Sequence, residues 1–497
     1  MTHSENLQRA QQAVDRISDT VSKGIFRQRY HFMAPAGWLN DPNGCIYHKG
    51  IYHLYYQHNP YAPVWGTMHW GHATSTDLVH WQHKPIALAP SEFYDNHPGG
   101  GVFSGSIIEN GNGLLCAFYT AATNPGTGFM QTQCMAESSD HGQTFKKFKG
   151  NPVIARVPEG ISTDFRDPKV IRYGDYWYMV LGASIGKGAR NGGEGCACLY
   201  RSDNLLKWDY CGIIARSEGR YGTMWECPDL FPLGDKWVLI FSPMFMENRK
   251  AVYLIGEMDF DIPRFTILND GEIDWGCEYY APQSLVDDKG RRILMAWQNG
   301  WDWMPWWNNF GPTAAEGWCG CMALPRSVSL DAESRLVSNP VSELEQLRRD
   351  EKTLENLLIG SQKIEIPCAD SISFELKMEI DIRQSTGLKF YLMLRAATEK
   401  YTTIVIDFAK KKIFFDRTKS DNGFSSGIKE CDLMMEGMIF TLRLFSDTSS
   451  IELFMDGGRT CMSNTIYPTH QEQKTYVFSE GGEVFIKRIN TWALRME

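Results

Sequence analysis

The sequence predicts an all-β protein of two domains, preceded by a short helix at the N-terminus. Short aromatic segments separated by Gly, Asn, Asp and Pro turns dominate from about residue 26 onward. A spacing of 63 residues recurs within the first 330 residues. Alternating apolar and polar residues continue after residue 350. The length of 497 residues also exceeds what one ordinary core holds, so two domains are expected.

Residues 1–24 are predicted to form an amphipathic helix. Leu7, Val14, Ile17 and Val21 are spaced by 7, 3 and 4 positions, which places them on one helical face. This segment lacks the apolar core of a signal peptide. No run in the chain approaches the eighteen or so apolar residues of a membrane span, so no membrane partner is expected.

Residues 25–337 are predicted to form a β-propeller, because a short pattern repeats in them. Segments around Asp77, Asp140 and Asp203 each combine a small or polar residue, an aspartate and a following aromatic residue. The aspartates are spaced by 63 and again by 63 residues. A unit of this length suits one four-stranded blade with generous loops.

The stretch "GWLNDPNG" at 37–44 reads as a turn by itself but falls on the same period. Adding 63 to Asp41 gives Ser104 and then Asp167, and Glu226 and Gln283 follow after 59 and 57 residues. The innermost strand of each blade lines the central channel, so five such side chains are predicted to converge on one axis. Three of them are carboxyl groups, which repel each other, so their convergence is expected only where a function requires it. The alternative is that the acids hold a structural cation.

The remaining chain is predicted to be a linker helix at 338–350 and a β-sandwich at 351–497. Asn339 is suited to the N-cap of the helix and Pro340 to its first position. Alternating strands separated by turns such as "MDGG" and "SEGG" are typical of a sandwich. This part has no catalytic constellation, so a structural or homodimer-forming module is favoured over a separate sugar-binding module.

Composition restricts the partners and the compartment. The net charge is −9 without a basic block, so nucleic acid is not an expected partner. The 13 cysteines are odd in number and form no framework, which favours the cytoplasm. The pairs Cys196 with Cys198 and Cys319 with Cys321 lack matching histidines, so buried thiols are favoured over a zinc site. Neither a metal nor a cofactor is expected.

Three carboxyl groups in one pocket suit the hydrolysis of a glycosidic bond. One donates a proton to the leaving oxygen, and another attacks the anomeric carbon or activates water. Glu226 lies between a tryptophan and a cysteine, so poorly solvating surroundings and proton donation are predicted for it. Asp41, in a turn rich in N–H groups, and Asp167, beside Arg166, are predicted to be ionised.

Aromatic residues near these motifs could stack on sugar rings, with core packing as the alternative. The candidates are Trp65, Phe103, Trp225 and Trp297. The tryptophans of "PWW" at 305–307 are predicted to form either a rim platform or a hydrophobic strap.

These residues resemble glycoside hydrolase family 32, the invertase and β-fructosidase family. The motifs that carry the resemblance are "WLNDPNG" at 38–44, "FRDPKV" at 165–170 and "WECPDLF" at 225–231. The resemblance extends from about residue 25 to the end of the chain. It implies a five-bladed β-propeller followed by a β-sandwich. It also implies hydrolysis of terminal β-D-fructofuranosides with retention of configuration, with sucrose or sucrose 6-phosphate as the expected substrate.

The resemblance also implies roles for individual residues. Asp41 corresponds to the nucleophile, Glu226 to the acid/base and Asp167 to the transition-state stabiliser. The implied substrate-binding residues are Asn40, Gln57, Trp65, Phe103, Ser104, Arg166, Asp274, Gln283 and Trp297.

The glycine-rich segment 182–195 carries Lys187 and Arg190, which could grip a phosphate. The alternative is a solvated, mobile loop. For the whole chain the alternatives are an exo-acting fructan hydrolase, a fructosyltransferase, an inverting arabinan or xylan hydrolase, and a propeller that binds sugar without catalysis.

Overall fold

The computed structural model describes residues 1–124, 126, 129–246, 249–304, 311–425, 427–435, 437–469 and 473–496. The protein is a five-bladed β-propeller followed by a β-sandwich, with one α-helix in front, as the sequence predicted. The "PWW" segment at 305–307 lies outside the described residues. None of the helices within these ranges is long and apolar enough to cross a membrane.

The N-terminal helix α1 spans His3–Val21 and lies against the first blade. Thr2 caps it, because its hydroxyl accepts from the Glu5 N–H while the Glu5 carboxylate accepts from the Thr2 N–H. Of the predicted apolar stripe, Val14 and Val21 are buried. They pack in one cluster with Ile86 of the first blade and with Trp318.

Each blade is a four-stranded antiparallel sheet whose strands follow one another along the chain. The first two blades are β1 Gly37–His48, β2 Ile51–Asn59, β3 His69–Ser75 and β4 Trp81–Leu88, then β5 Gly101–Glu109, β6 Leu115–Thr123, β7 Met130–Ser138 and β8 Lys146–Lys147. The next two are β9 Ile161–Tyr173, β10 Tyr176–Ile185, β11 Glu194–Ser202 and β12 Asp209–Arg216, then β13 Trp225–Leu233, β14 Lys236–Pro243, β15 Val252–Asp259 and β16 Arg264–Glu272.

The fifth blade is interrupted by the segment that closes the ring. Its strands are β17 Tyr280–Val286, β18 Arg292–Gln298, β21 Arg326–Leu330 and β22 Leu336–Pro340. Between β18 and β21, strand β19 at Trp318–Cys319 pairs in parallel with β1, and β20 at Cys321–Met322 pairs with β18. The end of the propeller is therefore hydrogen-bonded to its beginning.

The five inner strands β1, β5, β9, β13 and β17 contact one another in a closed ring. Each of them contains a β-bulge, where three residues advance against two on the neighbouring strand. Asp41, Ser104 and Asp167 lie within their bulges, whereas Glu226 comes directly before its bulge and Gln283 directly after. A bulge turns a side chain out of the regular pleat, so it can aim polar groups into the channel.

The repeat found in the sequence is a loop between the third and fourth strands of a blade. Ser75 donates to Asp77, and Ser138 donates to Asp140, in the first two blades. In the third blade Ser202 donates to Asn204 instead. The assignment of Asp203 was therefore one residue off, because the third blade is one residue longer at this point.

The helix predicted at 338–350 was wrong in type and extent. Strand β22 continues to Pro340, and a short 3-10 helix follows at Ser342–Leu347. Strand β23 begins directly afterwards at Arg348. Asn339 and Pro340 pair with β21. These strand hydrogen bonds outweigh the local preference of the two residues for the start of a helix.

The sandwich consists of two six-stranded sheets whose inner faces share one apolar core. In spatial order the first sheet is β23 Arg348–Ile359, β34 Val484–Leu494, β25 Phe374–Asp381, β30 Ile439–Ser446, β31 Ser450–Met455 and β32 Thr460–Thr465. The second sheet is β24 Ile364–Glu365, β33 Lys474–Glu480, β26 Lys389–Ala396, β27 Thr402–Asp407, β28 Lys412–Asp416 and β29 Ile428–Asp432.

Buried ion pairs join the propeller to the sandwich. Arg326 of the fifth blade donates to Asp274 and to Glu452, both at 2.8 Å, and all three side chains are fully buried. His31 contacts Asp447 at 2.8 Å and Glu452 at 3.1 Å. Removing one member of such a network would leave an uncompensated buried charge, so these contacts hold the two domains in one arrangement.

Candidate active site

Asp41, Asp167 and Glu226 come together in a cavity of about 810 Å³ at the axis of the propeller. They lie on the inner strands of the first, third and fourth blades. Ser104 of the second blade donates a hydrogen bond to the Asp41 Oδ2 at 2.6 Å. The predicted convergence is thus observed for four of the five side chains, whereas Gln283 does not line the cavity.

Asp41 is held on one side only. Its Oδ2 accepts from Ser104 and, at 3.4 Å, from the Cys227 thiol. Its Oδ1 accepts no hydrogen bond from the described residues, although the carboxylate is buried and lines the cavity. One oxygen is oriented by the protein, and the other keeps its lone pairs for a ligand.

Glu226 is surrounded by hydrogen-bond donors. The Arg166 guanidinium donates to its Oε1 at 2.9 and 3.1 Å, and the Tyr280 hydroxyl donates to its Oε2 at 2.5 Å. The prediction of poorly solvating surroundings, made from the sequence neighbours of Glu226, was wrong. The groups that contact its carboxylate come from β9 and β17 and not from the adjacent residues. These donors stabilise the carboxylate that remains after Glu226 gives up a proton.

Asp167 is oriented by the backbone of the neighbouring blade. Its Oδ2 accepts from the Cys227 N–H at 2.9 Å, and its own N–H donates to the Thr120 hydroxyl at 2.9 Å. Its φ of 65° lies in the left-handed region, which is unusual for a residue with a Cβ. Strained backbone of this kind is concentrated at functional positions.

Burial sets the charge state of both aspartates. It raises the pKa of Asp41 to about 6, and the nearby Glu226 charge acts in the same direction. Burial also raises the pKa of Asp167 to about 7, outweighing the positive charge of Arg166. The hydrogen-bond donors around these two carboxyls therefore do not keep their pKa values at the usual low level, since loss of water outweighs them, but a pKa of about 6 still leaves Asp41 mostly ionised at pH 7.

Aromatic walls enclose the carboxyl groups. On one side Trp65 contacts Phe103 edge-on with ring centroids 6.1 Å apart, and Phe103 lies 6.3 Å from Phe129. On the other side Trp301 and Trp303 stack with centroids 5.6 Å apart. Flat apolar walls around a polar floor suit a sugar ring, which has apolar C–H faces and a polar hydroxyl edge.

Two family models match the chain in succession. The description "Glycosyl hydrolases family 32 N-terminal domain" matches residues 31–340, and "Glycosyl hydrolases family 32 C terminal" matches residues 343–493. The chain belongs to glycoside hydrolase family 32. The two matches meet at the 3-10 helix that separates the propeller from the sandwich.

Relatives with assigned activities match the chain over nearly its whole length. The sucrose-6-phosphate hydrolase of Escherichia coli is 35% identical, over 99% of this chain and 100% of its own length. The solved sucrose-6-phosphate hydrolase of Lactobacillus gasseri has a TM-score of 0.84 at 26% identity, covering 97% of this chain and 96% of its own. A mutant family 32 β-fructofuranosidase of Bombyx mori in complex with sucrose has a TM-score of 0.83 at 30% identity, covering 100% and 99%.

Six of the binding residues that the family 32 resemblance implied do line the cavity with the three carboxyls. They are Asn40, Gln57, Trp65, Phe103, Ser104 and Arg166. Two of them are fixed by their neighbours. Trp38 donates to the Asn40 side-chain oxygen at 2.6 Å, and the Gln57 amide donates to the Val102 carbonyl at 3.1 Å.

Three other implied binding residues lie outside the cavity. Asp274 is fully buried at the domain interface, where Arg326 and Ser463 bind its carboxylate. Gln283 donates to the Cys227 carbonyl and so supports strand β13 beside the carboxyls. Trp297 is fully buried beneath Trp301, at 4.9 Å between centroids. These three residues support the structure around the cavity and do not line it.

The cavity also contains residues that the sequence reasoning missed. They are Gly99, Phe129, Gln131, Asp164, Met244, Trp301, Asp302 and Trp303. Asp164 carried a usable signal, since it lies two residues before Arg166 on β9 and therefore on the same face. It accepts from Arg166 at 3.3 Å. The aromatic cluster after β18 was another signal, because it follows directly on the second strand of the fifth blade.

The glycine-rich loop after β10 brings one of its two cations to the cavity. Arg190 lines the rim and lies 5.5 Å from the ring centroid of Phe245, whereas Lys187 is exposed and does not line the cavity. The Asp164 carboxylate accepts from the Ala189 N–H at 2.8 Å and anchors the loop. Of the described loop residues, Arg190 is the cation placed to meet a substrate.

Proposed function

We propose that this protein is a β-fructofuranosidase that hydrolyses sucrose or sucrose 6-phosphate with retention of configuration. The observation that carries the proposal is the contrast between two carboxyls in one cavity. Asp41 has an oxygen that accepts no hydrogen bond from the part of the chain that the structure describes, and Glu226 is bound by donors at both oxygens. An open carboxylate suits a nucleophile, and an oriented one suits proton transfer.

In the first step Asp41 attacks the anomeric carbon of the fructosyl unit. The bond from that carbon to the glycosidic oxygen breaks as the new carbon–oxygen bond forms, and Glu226 gives its proton to the departing glucosyl oxygen. Ser104 holds the other Asp41 oxygen at 2.6 Å, so the attacking atom points toward the substrate. The carboxylate of the buried Asp167 stabilises the positive charge that develops on the fructosyl ring.

In the second step water replaces the aspartyl ester. Glu226, now a carboxylate stabilised by Arg166 and Tyr280, removes a proton from water as the water oxygen attacks the same carbon. The ester bond to Asp41 breaks, and Asp41 is regenerated. Two inversions at one carbon give net retention.

Two measurements test the proposal. The first follows sucrose hydrolysis by NMR, and β-fructose is expected as the initial product, whereas initial α-fructose would reject the double displacement. The second compares kcat/KM for sucrose, sucrose 6-phosphate and a short inulin-type fructan. Turnover of inulin well above both sucrose substrates would make the chain a fructan hydrolase. Trisaccharide formed at high sucrose would reveal fructosyl transfer from the same intermediate.

A cytoplasmic location and a homodimer through the sandwich also belong to the proposal. The odd number of cysteines supports the first. A second domain without a catalytic constellation supports the second. Fractionation of the producing cell and light scattering of the purified chain measure them.

A further inference from the structure

The second sheet of the sandwich has a cavity on its solvent-facing side. The cavity has a volume of about 310 Å³ and lies over strands β26, β27, β28 and β33. Its lining combines three aromatic rings with hydroxyl, carboxylate and ammonium groups. The lining includes Tyr391, Tyr401, Thr403, Asp416, Lys419 and Phe478.

An apolar row crosses the sheet at this cavity. Phe478 pairs with Tyr391, Tyr391 with Val405, and Val405 with Phe414 on successive strands. The neighbouring residues in each strand point into the sandwich core, as Val477 and Leu392 do. The row therefore lies on the outer face, and its side chains are half-buried.

The two rings at one end of the row have a fixed orientation. Tyr391 and Phe478 are stacked with centroids 4.5 Å apart and planes within 2° of each other. The Tyr391 hydroxyl donates to the Glu480 carboxylate at 2.7 Å, which holds the outer end of the side chain in place. A rigid aromatic surface costs little conformational entropy when it binds a ligand.

Polar groups border the rings on one side. The Asp416 Oδ1 accepts from the backbone and hydroxyl of Thr418 at 2.9 and 2.6 Å, and no bond to Oδ2 is formed by the described residues. Thr403 lies opposite Asp416 on β27. The Tyr401 hydroxyl accepts from Lys419 at 3.0 Å. Hydroxyl and carboxylate groups beside a flat ring match the alternating polar and apolar surface of a sugar.

We infer that this cavity is a second, non-catalytic binding site for a neutral oligosaccharide. A second copy of the chain is the less suitable occupant, since a stable dimer buries about 800 Å² per partner and the cavity is a small concavity ringed by charges of both signs. The positive charges of Lys363 and Lys419 are balanced by the negative charges of Asp416, which also lines the cavity, and of Glu480, which binds Tyr391, so a neutral ligand fits better than an anion.

The site stands apart from the catalytic cavity in the chain and does not depend on the proposed hydrolysis. It would hold a longer saccharide near the enzyme without taking part in bond cleavage. This raises the effective concentration of chain ends at the propeller when the substrate is a polymer, but not when it is sucrose.

Native affinity electrophoresis in gels containing inulin, levan or dextran tests the inference. The full chain is expected to be retarded by at least one of the three polysaccharides. Phe478→Ala and Tyr391→Ala are each expected to weaken the apparent affinity about fivefold or more. Phe478→Tyr keeps a ring at the same position and is expected to retain binding. Phe93→Ala, which removes an exposed ring in the propeller, is the matched control.

Sucrose turnover of the same variants separates this inference from the proposed function. Phe478→Ala is expected to keep the kcat/KM of the parent chain on sucrose, which also shows that it is folded. Binding without sucrose hydrolysis by the parent would reject the proposed function and leave this site in place. Absence of retardation in all three gels, or equal retardation of Phe478→Ala and the parent, would overturn the inference. Conversion of a dimer to a monomer by Phe478→Ala would overturn it in favour of an interface between copies.

Discussion

At the scale of single residues, the buried Asp41 carboxyl lowers the stability of the folded protein. Asp41 is buried beside Glu226, and its pKa of about 6 lies above the value of 3.8 in an unfolded chain. At neutral pH the ionised carboxylate is therefore less stable in the folded protein than in water. Function explains why the residue is nevertheless acidic.

Replacing Asp41 with Asn is expected to abolish activity and stabilise the fold at pH 7. Activity falls by several orders of magnitude because the nucleophile is lost. Thermal unfolding at pH 7 should shift upward, because a carboxyl with a raised pKa destabilises the fold once it ionises. The gain should vanish near pH 3, where Asp41 is protonated in both states. Near-parental sucrose turnover by Asp41→Asn would contradict its role.

Glu226→Gln provides the contrast within the same cavity. Sucrose hydrolysis should again fall by several orders of magnitude, since no group remains to protonate the leaving oxygen. A substrate whose leaving group needs no proton should regain much of the first step, and burst kinetics would show it. Failure of such a substrate to react faster than sucrose would assign Glu226 a different role.

Asp274 shows the limit of prediction at this scale. Its assignment to substrate binding depended on the family motif alone, and nothing in the neighbouring sequence reveals that Arg326 and Ser463 bind it. The three carboxyls of the cavity were predictable because they recur near one period of the chain. The surroundings of Glu226 were not, since Arg166 and Tyr280 reach it from other blades.

At the scale of elements, the β-bulges of the inner strands determine where the site residues point. The 63-residue period predicted the strands, but not the bulges, which depend on pairing with the second strand of each blade. Gly105 follows the bulge of the second blade, and a Cβ there would lie 1.9 Å from the Phe118 carbonyl oxygen. Only glycine allows the two strands to approach this closely.

Gly105→Ala is expected to lower the free energy of unfolding by about 3 kcal/mol or more, because the strands must separate to fit the methyl group. Sucrose turnover should fall as well, since Ser104 next to it orients Asp41. Gly360→Ala is the matched control, as no atom lies within 4 Å of its added Cβ. Equal unfolding midpoints for the two variants would contradict the close approach.

A variant in the loop after β10 can distinguish between sucrose and sucrose 6-phosphate as the substrate. If its cation meets a phosphate, Arg190→Ala should reduce kcat/KM for sucrose 6-phosphate about tenfold or more and spare sucrose, because one charge-assisted hydrogen bond is lost. Lys187→Ala is the matched control, since Lys187 is exposed and outside the cavity lining. Equal losses on both substrates, or none, would leave the solvated-loop alternative and favour plain sucrose.

At the scale of the whole molecule, the junction between the domains contains a titratable group. Burial lowers the pKa of His31, but hydrogen bonds to Asp447 and Glu452 outweigh it and raise the pKa to about 9. The same contact holds the pKa of Glu452 at about 2 against the effect of burial. His31 is therefore an imidazolium at neutral pH, bound between two carboxylates of the sandwich.

The stability contributed by His31 is expected to depend on pH with a definite sign. A raised pKa gives a contribution that is complete below about 6.5 and is lost as the pH rises through about 9. The loss amounts to about 3 kcal/mol at most, from 1.36 kcal/mol per unit of pKa. Unfolding midpoints at pH 6, 7.5 and 9 measure it. His31→Gln should be less stable at pH 6 and show a flatter profile, and parallel profiles would contradict the assignment.

The all-β class, the propeller and the sandwich were predictable because each follows from spacing and alternation along the chain. The structure of the linker that begins at residue 338 was not predictable, because its first residues extend β22 by pairing with β21 instead of starting a helix. The domain junction was also beyond prediction, as His31 and Glu452 are 421 positions apart.

Because β19 pairs with β1, the ring of blades can close only late in the synthesis of the protein. Strand β1 is among the first segments to leave the ribosome, but its parallel partner begins at Trp318. Asp41 is therefore made long before the ring that encloses it can close. The first blade waits with one edge unpaired while four more are translated, so a chaperone that shields β-edges would act on this interval. A nascent chain shorter than about 320 residues contains the three carboxyls but not the closed ring that brings them together.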